Sequence, residues 1–164
     1  MNINYDTRYL RDDYDNQANI FKARYGYDLP EAYIRFLKTE GTGIFPNPGD
    51  FEGVCQIIRI FDFSLDKPVD FKSSDTVVGV YEEYVKSGWL SKNLLPIASA
   101  NGGHTIFCLI LSGPLKGYVL WRNDEDILLP DDYRADEKGL FPAEDTVIAT
   151  DIDDFISKLE PLDE

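Results

Sequence analysis

The stretch of residues 94–113 constrains the fold more than any other part of this chain. It begins with a Leu-Leu-Pro-Ile-Ala run, passes through Asn101-Gly102-Gly103, and continues into an unbroken apolar run at residues 106–111. Two apolar runs on either side of an Asn-Gly turn are typical of a β-hairpin, because asparagine and glycine adopt positive φ at little cost. We therefore expect a β-hairpin at the centre of a folded domain.

Apolar residues at helical spacing lie before this hairpin. Tyr33, Phe36 and Leu37 occupy positions i, i+3 and i+4, which predicts a helix with one apolar face. Pro30 suits the first turn of that helix, because its missing N–H would have no partner there. A second helix is expected over residues 77–87, where apolar residues again fall on one side.

Strands are expected on both sides of the hairpin as well. Residues 54–61 and 118–122 are runs rich in β-branched and aromatic residues. Residues 45–53 are expected to form a loop, because Pro46 and Pro48 interrupt any strand there.

The last helix has the clearest start signal. Thr150 and Asp153 have the spacing of a capping box. An apolar stripe follows at i, i+3, i+4 and i+7, formed by Ile152, Phe155, Ile156 and Leu159. Helices, then clustered strands, then a helix indicate an α+β fold with an antiparallel sheet and helices packed mainly on one face.

Several motifs in this order resemble the SUKH superfamily, which contains Smi/Knr-type regulators and many bacterial toxin-immunity proteins. The resemblance covers residues 29–159 and rests on Leu29-Pro30, the 94–113 stretch, Gly117-Tyr118-Val119-Leu120-Trp121, and Thr150-Asp151-Ile152. It implies a single SUKH-like domain over residues 1–164. In this reading, residues 1–28 are an N-terminal extension with a helix near 16–25, and residues 124–164 are a strongly acidic final segment with the C-terminal helix.

Acidic residues are concentrated in the last quarter of the chain. Residues 124–164 contain 15 acidic and 3 basic residues, which accounts for most of the net charge of −14. Such a field repels nucleic acid and anionic membranes and attracts basic partners. Solubility alone would also explain the acidic composition.

Residues for catalysis or metal binding do not fall into known patterns. His104 is the only histidine, and together with Cys55 and Cys108 it gives no zinc-ligand spacing. No Gly-x-Ser-x-Gly motif is present, and the acidic run after Asn123 lacks the glycine and glutamate positions of an EF-hand loop. We expect no catalytic residue, no metal and no cofactor, and a buried thiol at Cys108. Trp89 and Trp121 could stack on a ligand or serve as packing residues.

No signal peptide or membrane span is expected. A basic start followed by an apolar run is absent, and no apolar run approaches about 18 residues. We therefore expect a cytoplasmic protein.

Three functions compete at this point. The resemblance implies a non-enzymatic immunity protein that binds and occludes a cognate toxin, and the acidic segment fits a basic toxin such as a nuclease. The alternatives are a regulatory scaffold of the Smi/Knr type and a carboxylate-dependent hydrolase. The residues expected to contact the toxin supply negative charge or an aromatic anchor: Tyr118, Asp124, Glu125, Asp126, Asp131, Asp132, Tyr133, Asp136 and Glu137.

Overall fold

The computed structural model describes residues 7–9, 12–51, 55–63, 65, 76–100, 105–123 and 146–160. Within them, the helices are α1 (Tyr14–Tyr25), α2 (Glu31–Thr39), α3 (Val77–Ser87) and α4 (Ile152–Ser157). The strands are β1 (Thr7–Tyr9), β2 (Thr42–Phe51), β3 (Cys55–Ile60), β4 (Leu94–Ala100), β5 (Thr105–Ile110), β6 (Val119–Asn123), β7 (Thr146–Ala149) and β8 (Leu159–Glu160). The predicted α+β fold with an antiparallel sheet is confirmed.

The strands form one sheet in the order β1-β2-β3-β4-β5-β6-β7, and neighbouring strands are antiparallel. Strand β8 pairs with β2, on the same edge of β2 that pairs with β1. Because β8 follows α4 directly, this pairing places the end of the last helix beside β2. The predicted hairpin is β4–β5 and lies in the middle of this order, with β3 and β6 on either side.

Both faces of the central strands are buried, since every residue of β4 and β5 is shielded from solvent. On one face, the Phe107 ring lies 4.8 Å from the Phe155 ring of α4, measured between centroids. Ile106 and Cys108 alternate with Phe107 and therefore point to the opposite face. They are also buried, which confirms the predicted buried thiol at Cys108.

Aromatic contacts connect the helices. The Phe21 ring of α1 lies 5.8 Å from the Phe63 ring and 5.9 Å from the Tyr81 ring of α3. Tyr25 at the end of α1 donates its hydroxyl hydrogen to Glu82 of α3. Burial, followed by this hydrogen bond, raises the pKa of Tyr25 to about 12. These contacts hold α1 and α3 together.

The sequence-based prediction of a loop at residues 45–53 is wrong over residues 45–51, because β2 extends from Thr42 to Phe51, and residues 52 and 53 lie outside the described residues. The backbone pairs with β3 at both ends of this stretch, and the register is irregular only between Ile44 and Gly49. Pro46 and Pro48 fall in this irregular part, where a missing N–H costs no ladder hydrogen bond.

Helix α4 is capped one residue later than the sequence predicts. Asp151, not Thr150, is the N-cap: its carboxylate accepts a hydrogen bond of 2.7 Å from the Asp154 backbone N–H. The Asp154 carboxylate in turn accepts a hydrogen bond of 2.9 Å from the Thr150 backbone N–H. It also forms an ion pair with Lys158, with an N–O distance of 3.2 Å. The box is shifted because the extended backbone ends at Asp151, which places Asp154 rather than Asp153 at the third helical position.

These hydrogen bonds predict a pH-dependent contribution to stability. The Thr150 N–H, followed by Lys158, lowers the pKa of Asp154 below its usual range. A carboxylate with a lowered folded-state pKa stabilises the fold above its unfolded value of about 3.9, and the contribution is lost as the pH falls through the folded value. We expect Asp154→Asn to lower the melting temperature at pH 7, and the difference from wild type to shrink toward pH 3.

The matched control is Asp153→Asn, because the Asp153 carboxylate makes an exposed ion pair with Arg35 and should contribute less. Thermal melts followed by circular dichroism between pH 7 and pH 3 measure both variants. If the melting temperature of Asp154→Asn lies below that of the wild type by the same amount at pH 7 and at pH 3, the charge of Asp154 does not stabilise the helix.

Candidate partner-binding surface

The strand register brings several connections to one end of the sheet. We call it the hairpin end and define it by the strand termini Phe51, Ala100, Thr105, Asn123 and Thr146. Thr105 pairs with both Ala100 and Asn123, and Thr146 pairs with Trp121. Connections 101–104 and 124–145 therefore both leave the sheet at this end.

Most of the predicted toxin-contacting residues fall on the second of these connections. Residues Asp124, Glu125, Asp126, Asp131, Asp132, Tyr133, Asp136 and Glu137 lie outside the described residues, as does His104. The points of attachment are described: the chain leaves the sheet at Asn123 and returns at Thr146. That these eight residues contact a toxin stays a prediction. Both ends of the segment that contains them lie at the hairpin end.

Tyr118 lies at the other end of β6. It precedes Val119 directly, it is half-buried, and its backbone carbonyl accepts a hydrogen bond of 3.0 Å from the Ile110 N–H. Five residues of ideal strand separate it from Asn123 by about 17 Å. The structure therefore does not bring Tyr118 next to the attachment points of the acidic segment, and its role in binding stays a prediction.

A buried arginine lies beside the hairpin end. Arg122 is the residue before Asn123, and only 2% of its surface is exposed. Its guanidinium carbon lies 4.9 Å from the centroid of the Trp89 ring, within the range of a cation–π interaction. Since Arg122 alternates with Trp121 along the strand, this stack lies on the face of the sheet opposite to Trp121.

The turn after α3 fixes the position of Trp89. Gly88 ends the helix with φ +81°, a left-handed conformation that glycine adopts without strain. The backbone N–H groups of Trp89 and Leu90 both donate to the Tyr84 carbonyl, at 3.0 and 3.1 Å. The Tyr84 ring lies 4.8 Å from the Trp89 ring, so Trp89 is supported by Tyr84 as well as by Arg122. The remaining exposed part of Trp89 is therefore held in a defined orientation.

The sequence-based interpretation missed this stack, although it left Trp89 open as a packing residue. One signal was available: Arg122 follows Leu120 at a spacing of two in a strand, which places both residues on the same face. Leu120 is fully buried, so a buried position for Arg122 follows from the alternation. The aromatic partner could not be predicted, because Trp89 lies in a separate turn.

Within the described ranges, no group of three or more His, Cys, Asp and Glu side chains is arranged to hold a metal ion. None of the helices in the same residues is both long enough and apolar enough to cross a membrane.

The chain matches the model of a known protein family. The model of the SMI1 / KNR4 family (SUKH-1) matches residues 15–158, which is most of the chain. In a search of curated proteins, no sequence matches this chain. The matched range includes α2, α3, α4, all of α1 except Tyr14, and the strands β2 to β7. The chain belongs to the SMI1 / KNR4 family (SUKH-1).

Proposed function

We propose that this chain is a non-enzymatic immunity protein, which binds a cognate toxin and occludes its active surface. Membership in the SMI1 / KNR4 family carries the proposal, because the superfamily contains many bacterial immunity proteins. In this proposal the protein acts in the cytoplasm, and the contact surface is the acidic connection 124–145 at the hairpin end.

The charge of this connection favours a basic toxin. Residues 124–137 contain seven acidic residues and one basic residue. Complementary charge raises the rate of association and disfavours wrong partners, and basic surfaces are typical of proteins that bind nucleic acid. A nuclease domain is therefore the kind of toxin that this segment fits best.

Coexpression tests this function directly. The protein encoded next to this chain is expressed from an inducible promoter in a bacterial host, with and without the chain. We expect growth to stop when the neighbouring protein is expressed alone, and to recover by at least a hundredfold in colony count when the chain is present. The matched control is the same plasmid with a stop codon early in the reading frame of the chain.

Two outcomes would contradict the proposal. One is a toxic neighbouring protein whose effect the chain does not relieve. The other is a neighbouring protein without toxicity, together with stable association of the chain with proteins that are not toxins. The second outcome would support a regulatory scaffold.

A further inference from the structure

The face of the sheet that carries Arg122 has partly exposed apolar residues beside both ends of the acidic connection. Trp89 stacks on Arg122, the residue before Asn123, where the acidic connection leaves the sheet. Val147 is the second residue of β7, the strand to which that connection returns, and it pairs with Leu120. Paired residues share a face, and Arg122 lies two residues after Leu120, so Val147 is a diagonal neighbour of Arg122.

We propose that Tyr84, Trp89 and Val147, which we call the Trp89 patch, form the apolar centre of the toxin-binding surface and take an apolar or aromatic side chain of the toxin. The inference rests on the proposed immunity function and extends its contact surface beyond the acidic connection. All three side chains are partly exposed and pack against the core. Interfaces combine an apolar centre with a charged rim, and the acidic connection, which begins and ends beside the patch, supplies that rim.

The charges around Trp89 favour an uncharged side chain as the occupant. Two exposed acidic and two exposed basic residues lie on α3 and in the turn after it: Glu82, Glu83, Lys86 and Lys92. Arg122 is 2% exposed and therefore presents almost no surface to a partner. A surface with balanced charge does not select for a charged side chain. The patch therefore binds through apolar contact, and the acidic connection meets the basic charge of the toxin.

The Trp89 ring is held in place before a partner arrives. Gly88 sets the turn, and the contacts with Tyr84 and Arg122 restrict the ring. Tryptophan is enriched among the residues that dominate binding energy, and a preorganised side chain loses little conformational entropy on binding. We therefore expect Trp89 to contribute more to the affinity than Tyr84 or Val147.

Trp121 lies on the opposite face of the sheet and provides a matched control. It is also partly exposed, and it lies two residues before Asn123. Its ring lies 6.3 Å from the Phe107 ring, which in turn lies 4.8 Å from the Phe155 ring of α4. Trp121 is therefore on the face that α4 covers. A toxin that binds the Trp89 patch should not depend on Trp121.

Binding kinetics with the purified product of the neighbouring gene test the proposal. Surface plasmon resonance measures its association with the full chain and its dissociation. We expect Trp89→Ala to weaken binding by at least about thirtyfold, mainly through faster dissociation. Trp89→Phe should weaken binding by about fivefold and Val147→Thr by about threefold, whereas Trp121→Phe should change it by less than about twofold.

The outcomes separate this proposal from the proposed function. A thermal melt shows whether each variant is folded, and Trp89→Phe and Val147→Thr keep the test decisive if Trp89→Ala is not. Dissociation of both milder variants at the wild-type rate would overturn the proposal and leave the immunity function standing. Equal weakening by Trp121→Phe and Trp89→Phe would do the same. A wild-type chain that does not bind the neighbouring gene product would overturn both.

Self-association is the remaining alternative for the Trp89 patch. Sedimentation of the full chain between low and high concentration detects it. A chain that stays monomeric supports the toxin as the occupant. A dimer that Trp89→Phe abolishes would overturn the proposal and make a second copy of this chain the occupant.

Discussion

Arg122→Ala should lower the free energy of unfolding by about 2–5 kcal/mol, because it removes a large side chain that is almost fully buried. Arg122 is 2% exposed and stacks on Trp89, so its loss also leaves space between β6 and the turn after α3. Arg122→Lys should also lower the free energy of unfolding, because the compact ammonium group of lysine cannot stack on the Trp89 ring as the planar guanidinium does. Urea denaturation measures the change for both variants.

The control for this prediction is Arg35→Ala. Arg35 is paired with Asp153 at 3.2 Å, but its side chain is 63% exposed, so the loss should stay below about 1 kcal/mol. A cycle that combines Arg122→Ala with Trp89→Ala should give a coupling energy of about 1–2 kcal/mol. An Arg122→Ala variant as stable as Arg35→Ala would show that the stack contributes little to the fold.

Neutralising the start of the acidic connection should slow toxin binding by about tenfold at low salt. The variant changes Asp124 and Asp126 to Asn and Glu125 to Gln, next to the attachment point at Asn123. Electrostatic steering acts mainly on the rate of association, so the dissociation rate should change much less. Stopped-flow or surface plasmon resonance measurements with the purified toxin separate the two rates.

Three exposed carboxylates elsewhere provide a control with the same change in net charge. Asp12→Asn, Glu31→Gln and Glu83→Gln lie at exposed positions on or beside α1, α2 and α3. We expect this triple variant to slow association by less than about twofold. If both triple variants bind at the wild-type rate, or slow equally, the acidic connection is not the surface that the toxin meets.

Much of the fold could be predicted because its signals are local. The hairpin turn and apolar runs predict β4 and β5, and the stripe of Tyr33, Phe36 and Leu37 is buried as expected. Helix α3 occupies the predicted residues 77–87, and α1 begins at Tyr14, close to the predicted 16–25. Each of these elements depends on spacing within about ten residues, which a single sequence displays.

The features that were missed depend on contacts between distant segments. Strand β2 exists because β3 and β8 pair with it, and this pairing outweighs the local effect of Pro46 and Pro48. The position of Arg122 depends on Trp89, a residue in another connection. For the candidate site, the charge of residues 124–137 predicts that this segment binds a partner. The distance between Tyr118 and Asn123 follows only from the strand β6, which places them at opposite ends.

We propose that this family member binds a toxin through complementary charge. The most direct test is capture of the neighbouring gene product by the immobilised chain at low and at high salt. We predict capture of a basic toxin domain that weakens as salt rises, because screening shortens the range of exposed charges. Capture of other cellular proteins, with no toxin retained at either salt concentration, would contradict the claim.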